Sequence, residues 1–104
     1  MIDRRIKFDE RYDSDDYGTT TLYFIAPKEM LKKFIPTNDY PEAVSMEISV
    51  EFPTDYIEPA QAYVCVSPTR EVDGGTEEYD WYDIDLPYDE IEELIKLAEQ
   101  NGGK

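Results

Sequence analysis

Histidine is missing altogether, cysteine occurs once, and only ten of the 104 residues are lysine or arginine. Without histidine the chain lacks the commonest general base, the usual pH switch and the commonest metal ligand. A lone Cys65 can form no internal disulfide, and with no histidine it cannot complete a zinc set. No stretch approaches the roughly 20 apolar residues that a membrane span needs. The opening MIDRRIKFDER carries charge with no apolar run behind it, so no secretory signal is expected. Serine and threonine lie in no nucleophile motif, and Gly74-Gly75 is too short and too acidic to cradle a phosphate. A carboxylate pair suited to glycoside hydrolysis is unavoidable among 25 acids, so its presence discriminates nothing. The expectation is a cytoplasmic protein that is not an enzyme, holds no cofactor or metal and avoids membranes.

What the chain has instead is acid, unevenly placed. Residues 1–52 carry eleven Asp/Glu against seven Lys/Arg, and residues 53–104 carry fourteen against three, so the second half holds -11 of the net -15. The segment from Glu71 to Glu93 alone has eleven carboxylates with Trp81, Tyr79, Tyr82 and Tyr88, and no cation. Such a surface repels anionic lipid and nucleic acid. At 40% hydrophobic residues the chain is too apolar for a disordered acidic tail. It is expected to fold as one domain across residues 1–104, of a size that supports a single core.

Periodicity gives the elements. Ile2, Ile6 and Phe8 share one parity, which reads as a first strand ending at Phe8. The polar segment DERYDSDDYG then reads as a turn. Asp13, Asp15 and Gly18 fit the first, third and sixth positions of a calcium loop, but Tyr17 and Phe24 stand where a short oxygen ligand and a bidentate glutamate are required. A solvated hairpin loop is the better reading. TTTLYFIA, Thr19 to Ala26, is a β-branched and aromatic strand. Pro27 suits the start of a short helix, Lys28 to Ile35, with Met30, Leu31 and Phe34 on one side. Its Lys28, Lys32 and Lys33 read as a solvated face.

Val44, Met46, Ile48, Val50 and Phe52 alternate with Ser45, Glu47, Ser49 and Glu51, which predicts an antiparallel strand with one buried and one wet face. Ala60 to Ser67 reads as the next strand, and Pro68 implies that pairing is interrupted there. Asp73-Gly74-Gly75 signals a hairpin. A three-residue loop sets Val66 against Tyr82, Val64 against Ile84 and Ala62 against Leu86, whereas a two-residue loop sets Val64 against Asp83. The three-residue loop is therefore preferred, and it places Ser67, Cys65 and Tyr63 opposite Trp81, Asp83 and Asp85 on the other face. Pro87 then opens a helix to about Gln100 with Ile91, Leu94, Ile95 and Ala98 as its apolar stripe. Asp89, Glu90, Glu92 and Glu93 suit its positive N-terminal end, Glu92 and Lys96 form an i,i+4 pair, and Asn101-Gly102 supplies the stop.

The predicted fold class is α+β: an antiparallel sheet of four to five strands with two helices, in the order β-β-α-β-β-β-α, the helices mainly on one face. The open face would display Glu47, Glu51, Asp83 and Asp85 beside Tyr63 and Trp81, with the hairpin projecting Glu77, Glu78 and Asp80. Those nine residues are the candidate partner-binding set. Alternate strand residues lie roughly 6.5 to 7 Å apart and neighbouring strands about 4.8 Å, and each DNA strand carries one charge per roughly 3.4 Å of axis. A carboxylate sheet thus approximates the charge density of a phosphate backbone, as a DNA mimic does.

In size and composition the chain resembles the acidic proteins with which phages and mobile elements block restriction or CRISPR nucleases, and the immunity proteins that neutralise nuclease toxins. The likeness is one of composition and implies an inhibitor, anti-CRISPR or similar, of a basic protein partner such as a nuclease. The alternative is a non-catalytic interaction or regulatory domain, monomer or homodimer, whose charge serves solubility alone.

Overall fold

Five strands follow one another as an antiparallel meander, and a sixth completes the sheet. The computed structural model describes residues 2–101. The strands are β1 (Lys7–Ser14), β2 (Thr19–Pro27), β3 (Ser45–Pro53), β4 (Tyr63–Val72), β5 (Gly75–Glu78) and β6 (Tyr82–Ile84), and the helix is α1 (Tyr88–Gln100). The order across the sheet is β1-β2-β3-β4-β5, with β6 beside β4 further along the same edge. The α+β class and the antiparallel sheet agree with expectation, but the count of two helices holds only in part. Lys28–Lys33 forms a 3₁₀ helix, not an α-helix, and Pro27 remains extended as the last residue of β2. The segment is short, held between a proline-ended strand and the turn at Phe34, and 3₁₀ geometry serves in such short pieces.

Alternation decides the faces. Leu22, Phe24 and Ala26 of β2, Met46, Ile48, Val50 and Phe52 of β3, and Val64 and Val66 of β4 are buried together. Met30 and Leu31 of the 3₁₀ helix and Ile91, Leu94 and Ala98 of α1 cover that same side. Val44 was expected in this row but is 43% exposed, because β3 begins only at Ser45. The α1 pattern holds over the described residues: Pro87 precedes it, Lys96 Nζ lies 3.1 Å from Glu92, and Asn101 caps it by donating to the Leu97 carbonyl at 2.8 Å. Gly102, the other half of the expected stop, lies outside the described residues. Among the described residues no helix is long and apolar enough to cross a membrane.

Two corrections concern pairing. β1 does not end at Phe8; it starts at Lys7 and runs through most of the expected turn to Ser14, leaving only Asp15 to Gly18 as the loop. It tolerates polar residues on both faces because it is an edge strand. Where it faces the core side, Arg11 pairs with Asp13 at 3.1 Å and Thr20 donates to Asp13 at 2.7 Å. The second correction is the hairpin. Val72 pairs with Gly75, so the loop has two residues, Asp73 and Gly74, and Gly74 takes the positive φ of 90° that such a tight turn needs. Yet Val64 still faces Ile84 and Val66 still faces Tyr82. Both hold because a bulge at Tyr79–Trp81 inserts one residue between β5 and β6. Opposite it sits Pro68, fully buried inside β4, whose carbonyl accepts from the Tyr79 N–H at 2.8 Å. A proline has no N–H to give on that side, so the ladder breaks there. The ladder ends at Ile84, so the expected opposition of Ala62 with Leu86 and Tyr63 with Asp85 does not form.

Candidate functional site

The face of the sheet turned away from the helices is assembled by register. At one level Glu10, Tyr23, Ser49, Cys65 and Asp83 line up across β1, β2, β3, β4 and β6. Beside them run Ile25, Glu47 and Ser67 on one side and Tyr12, Thr21, Glu51 and Tyr63 on the other. The centre of this face is built from small residues, and Ser67 is wholly buried while Thr21, Cys65 and Thr69 are nearly so. Long side chains stand around them, so the face is concave.

The concavity is a groove of about 440 Å³ lined by Glu10, Tyr12, Tyr23, Glu47, Ser49, Glu78 and Trp81. In a flat sheet the outer strands β1 and β5 would stand roughly 19 Å apart, four strand spacings. One groove touches both, so the sheet curls about this face. Tyr12 is 58% exposed and Trp81 41% exposed, which is unusual for rings that could have entered the core. At Trp81 the bulge is the cause: it shifts the strand so that Trp81 leaves the ladder beside the open face while Tyr82 turns inward to pack on Tyr40.

Electrostatically the groove is strained. Glu47 is partly buried, and that desolvation is the first reason its carboxyl is pushed up to about 7. Next come the charge of Glu78, a hydrogen bond with Glu78, and the charges of Asp9 and Glu10. Burial, and then the charges of Glu47, Glu10, Glu51 and Glu78, likewise raise the Tyr23 phenol. Among the described residues no three acidic or cysteine side chains converge as metal ligands would. The carboxylates therefore line a space and do not close on a point.

A second pocket, also about 440 Å³, opens between the start of β4, β6 and α1, with Tyr63, Asp83, Asp85 and Tyr88 among its walls. Its polar groups are largely committed. The Tyr63 hydroxyl donates to Asp83, and the Cys65 thiol donates to the same oxygen at 3.4 Å. That bond to Asp83 is the first cause of a raised Tyr63 phenol. Burial first, and Asp83 among the further causes, pushes the Cys65 thiol up, which makes it a poor nucleophile.

Of the nine expected residues, the groove brings together Glu47, Glu78 and Trp81. Glu51 and Tyr63, opposite one another, continue the same face toward Asp83. Asp85 is exposed just past β6, and Asp80 is exposed in the bulge. Glu77 does not belong: it lies on the opposite face, pairs with Arg70 across the hairpin, and that guanidinium packs over Tyr79. Glu10, Tyr12, Tyr23 and Ser49 were missed. The hairpin centred on Asp15 to Gly18 carried the signal for the first two, since pairing outward from Ser14 and Thr19 places Tyr12 beside Thr21 and Glu10 near Tyr23.

The chain matches no protein-family model, no curated protein and no solved structure.

Proposed function

We propose that this protein binds and inhibits a basic nucleic-acid-handling protein, such as a nuclease, by offering the open sheet face in place of nucleic acid. One observation carries the reading. By register, Glu10, Glu47, Glu51, Glu71, Glu78 and Asp83 share that face, and the one cation among its paired, described residues, Lys7, stands at the end of β1. An acid coat that served only solubility would mix signs and leave no exposed indole among the carboxylates. Here the acids surround Trp81, Tyr12 and Tyr63, the aromatic types that anchor interfaces. A basic groove built for a phosphate backbone attracts such a face from a distance, so association is fast and weakens with salt.

The test is capture of basic nucleases at 50 and 300 mM salt, followed by competition with duplex and single-stranded DNA. Capture that falls with salt and is displaced by DNA supports the reading. Two variants separate a face from a coat. Replacing Glu47, Glu51 and Asp83 with Gln or Asn should abolish capture, whereas replacing Asp89, Glu92 and Glu99 of α1 should leave it intact. Equal loss from both variants, or no capture at low salt, overturns it.

A further inference from the structure

The acids alone would make a plate, but the groove has aromatic walls, and a feature of that shape selects among cations. Resting on the reading above, we propose that the groove between β1–β2 and the β5–β6 bulge takes an arginine side chain of the basic partner. Its guanidinium would stack on the Trp81 indole while its edge pairs with Glu47 and Glu78.

Three observations lead there. The walls are Tyr12 and Tyr23 on one side and Trp81 on the other, with the small Ser49 among the lining residues. An open slot lined by aromatic rings favours a planar, weakly hydrated cation, which gains from the ring quadrupole as it loses water. The carboxylates come next. Glu47 of β3 and Glu78 of β5 both line the groove from either side of β4, where they are paired with Ser67 and Thr69, so two carboxylates face the same space. A guanidinium offers paired donors in a rigid fork that fits two such acceptors, and an ammonium does not. The third is what the site is not. The carboxylates do not converge as ligands of a small metal ion, and a volume of about 440 Å³ would leave a bare cation loosely held. Charge complementarity therefore points to an organic cation with a flat head.

The chain's single tryptophan reports directly, since all indole fluorescence comes from Trp81. The probes are acetylated, amidated tetra-arginine and tetra-lysine peptides of equal charge. Stacking and bidentate pairing should make tetra-arginine bind about tenfold tighter. Its binding should change Trp81 emission and shift the NMR signals of Tyr12, Tyr23 and the Trp81 indole N–H. Glu47→Gln and Glu78→Gln keep side-chain size, and circular dichroism shows whether each variant is folded. Each should bring tetra-arginine down to the tetra-lysine level while changing tetra-lysine binding less than threefold. Equal affinity for the two peptides, shifts confined to α1, or Gln variants that bind tetra-arginine as the parent does would each overturn the groove site. Those results could coexist with salt-sensitive capture of nucleases, in which case the acidic face stands and the arginine slot falls. Arginine-selective binding without capture of any nucleic-acid-handling protein would do the reverse.

Discussion

Glu47 gives the sharpest test of the electrostatics, because its environment costs the fold stability that glutamine would restore. Its carboxyl sits near 7 in the folded protein against an ordinary 4.5. Between those values the native state holds a proton that the unfolded chain has released, so stability falls as pH rises through the window and the penalty is complete above about 7. The displacement taken whole corresponds to about 3 kcal/mol. Glu47 lies at a groove open to water, so screening reduces the effect to about 1 to 2 kcal/mol. Glu47→Gln should therefore raise the melting temperature at pH 8.5 by roughly 5 to 10 °C for a domain of this length. At pH 5, still above the isoelectric point of 4.1, about a quarter of the penalty is felt and the gain should shrink in proportion. Thermal unfolding followed by circular dichroism at both pH values measures this. The difference between proteins cancels the general pH dependence that all 25 acids impose. Glu78→Gln should recover part of the gain, and the double variant should gain less than the sum, because the two groups share one interaction. A gain of equal size at both pH values, or a loss at pH 8.5, would show that Glu47 is not held in a repulsive, half-dry site.

The remaining expectations are simpler. Phe24, wholly buried at the centre of β2, should cost about 3 to 5 kcal/mol as Phe24→Ala in urea unfolding. Gly74→Ala should cost about 1 kcal/mol by the same measurement, since its φ of 90° disfavours any side chain even though nothing crowds the position. Cys65 is buried with a raised thiol pKa, so a colourimetric thiol reagent at pH 8 should modify it at least tenfold more slowly in the native protein than in urea. Arginine-peptide affinity should rise between pH 6 and 8, because the cation must expel the proton that burial, and then Glu78, Asp9 and Glu10, retain on Glu47; titrations monitored by Trp81 at both pH values would show it, and a flat profile would count against it.

Where the apolar residues of an element keep its period, its buried face was readable from the residues alone. Met46 to Phe52 and Ile91 to Ala98 are the clearest cases, because one side of each touches only core. β1 was not readable. Its Arg11 and Asp13 are polar on the inward parity and satisfied by each other and by Thr20, so no apolar alternation marks the strand. The β4 partnership came out in the right register through the wrong loop. Matching apolar faces correctly demanded Val64 against Ile84, but the extra residue it required lies at the bulge facing Pro68 and not in the turn. Pro68 had marked the place, and what the residues did not reveal was how far along the partner strand its effect would fall. The groove depends on that displacement, since the bulge is what brings Trp81 to the open face.

The acids of this protein divide by what they do to the fold, and the division is informative. Asp89 and Glu90 sit in the first turn of α1, where the helix dipole favours them. Asp3 is held by Arg5 at about 2, well below the usual carboxylate range, and Asp13, Glu77 and Glu92 each have a cation within 4.0 Å. Those carboxylates stabilise the structure or are neutral to it. Glu47 is different: it is desolvated, faced by Glu78 and with Asp9 and Glu10 nearby, and its pKa is clearly raised, so ionising it opposes folding. A chain can carry a net charge of -15 for solubility without placing any acid in such a position. Local conflict of this kind is expected where a surface is arranged for a ligand that resolves it, and a cation seated between Glu47, Glu78 and Trp81 would turn the repulsion into attraction.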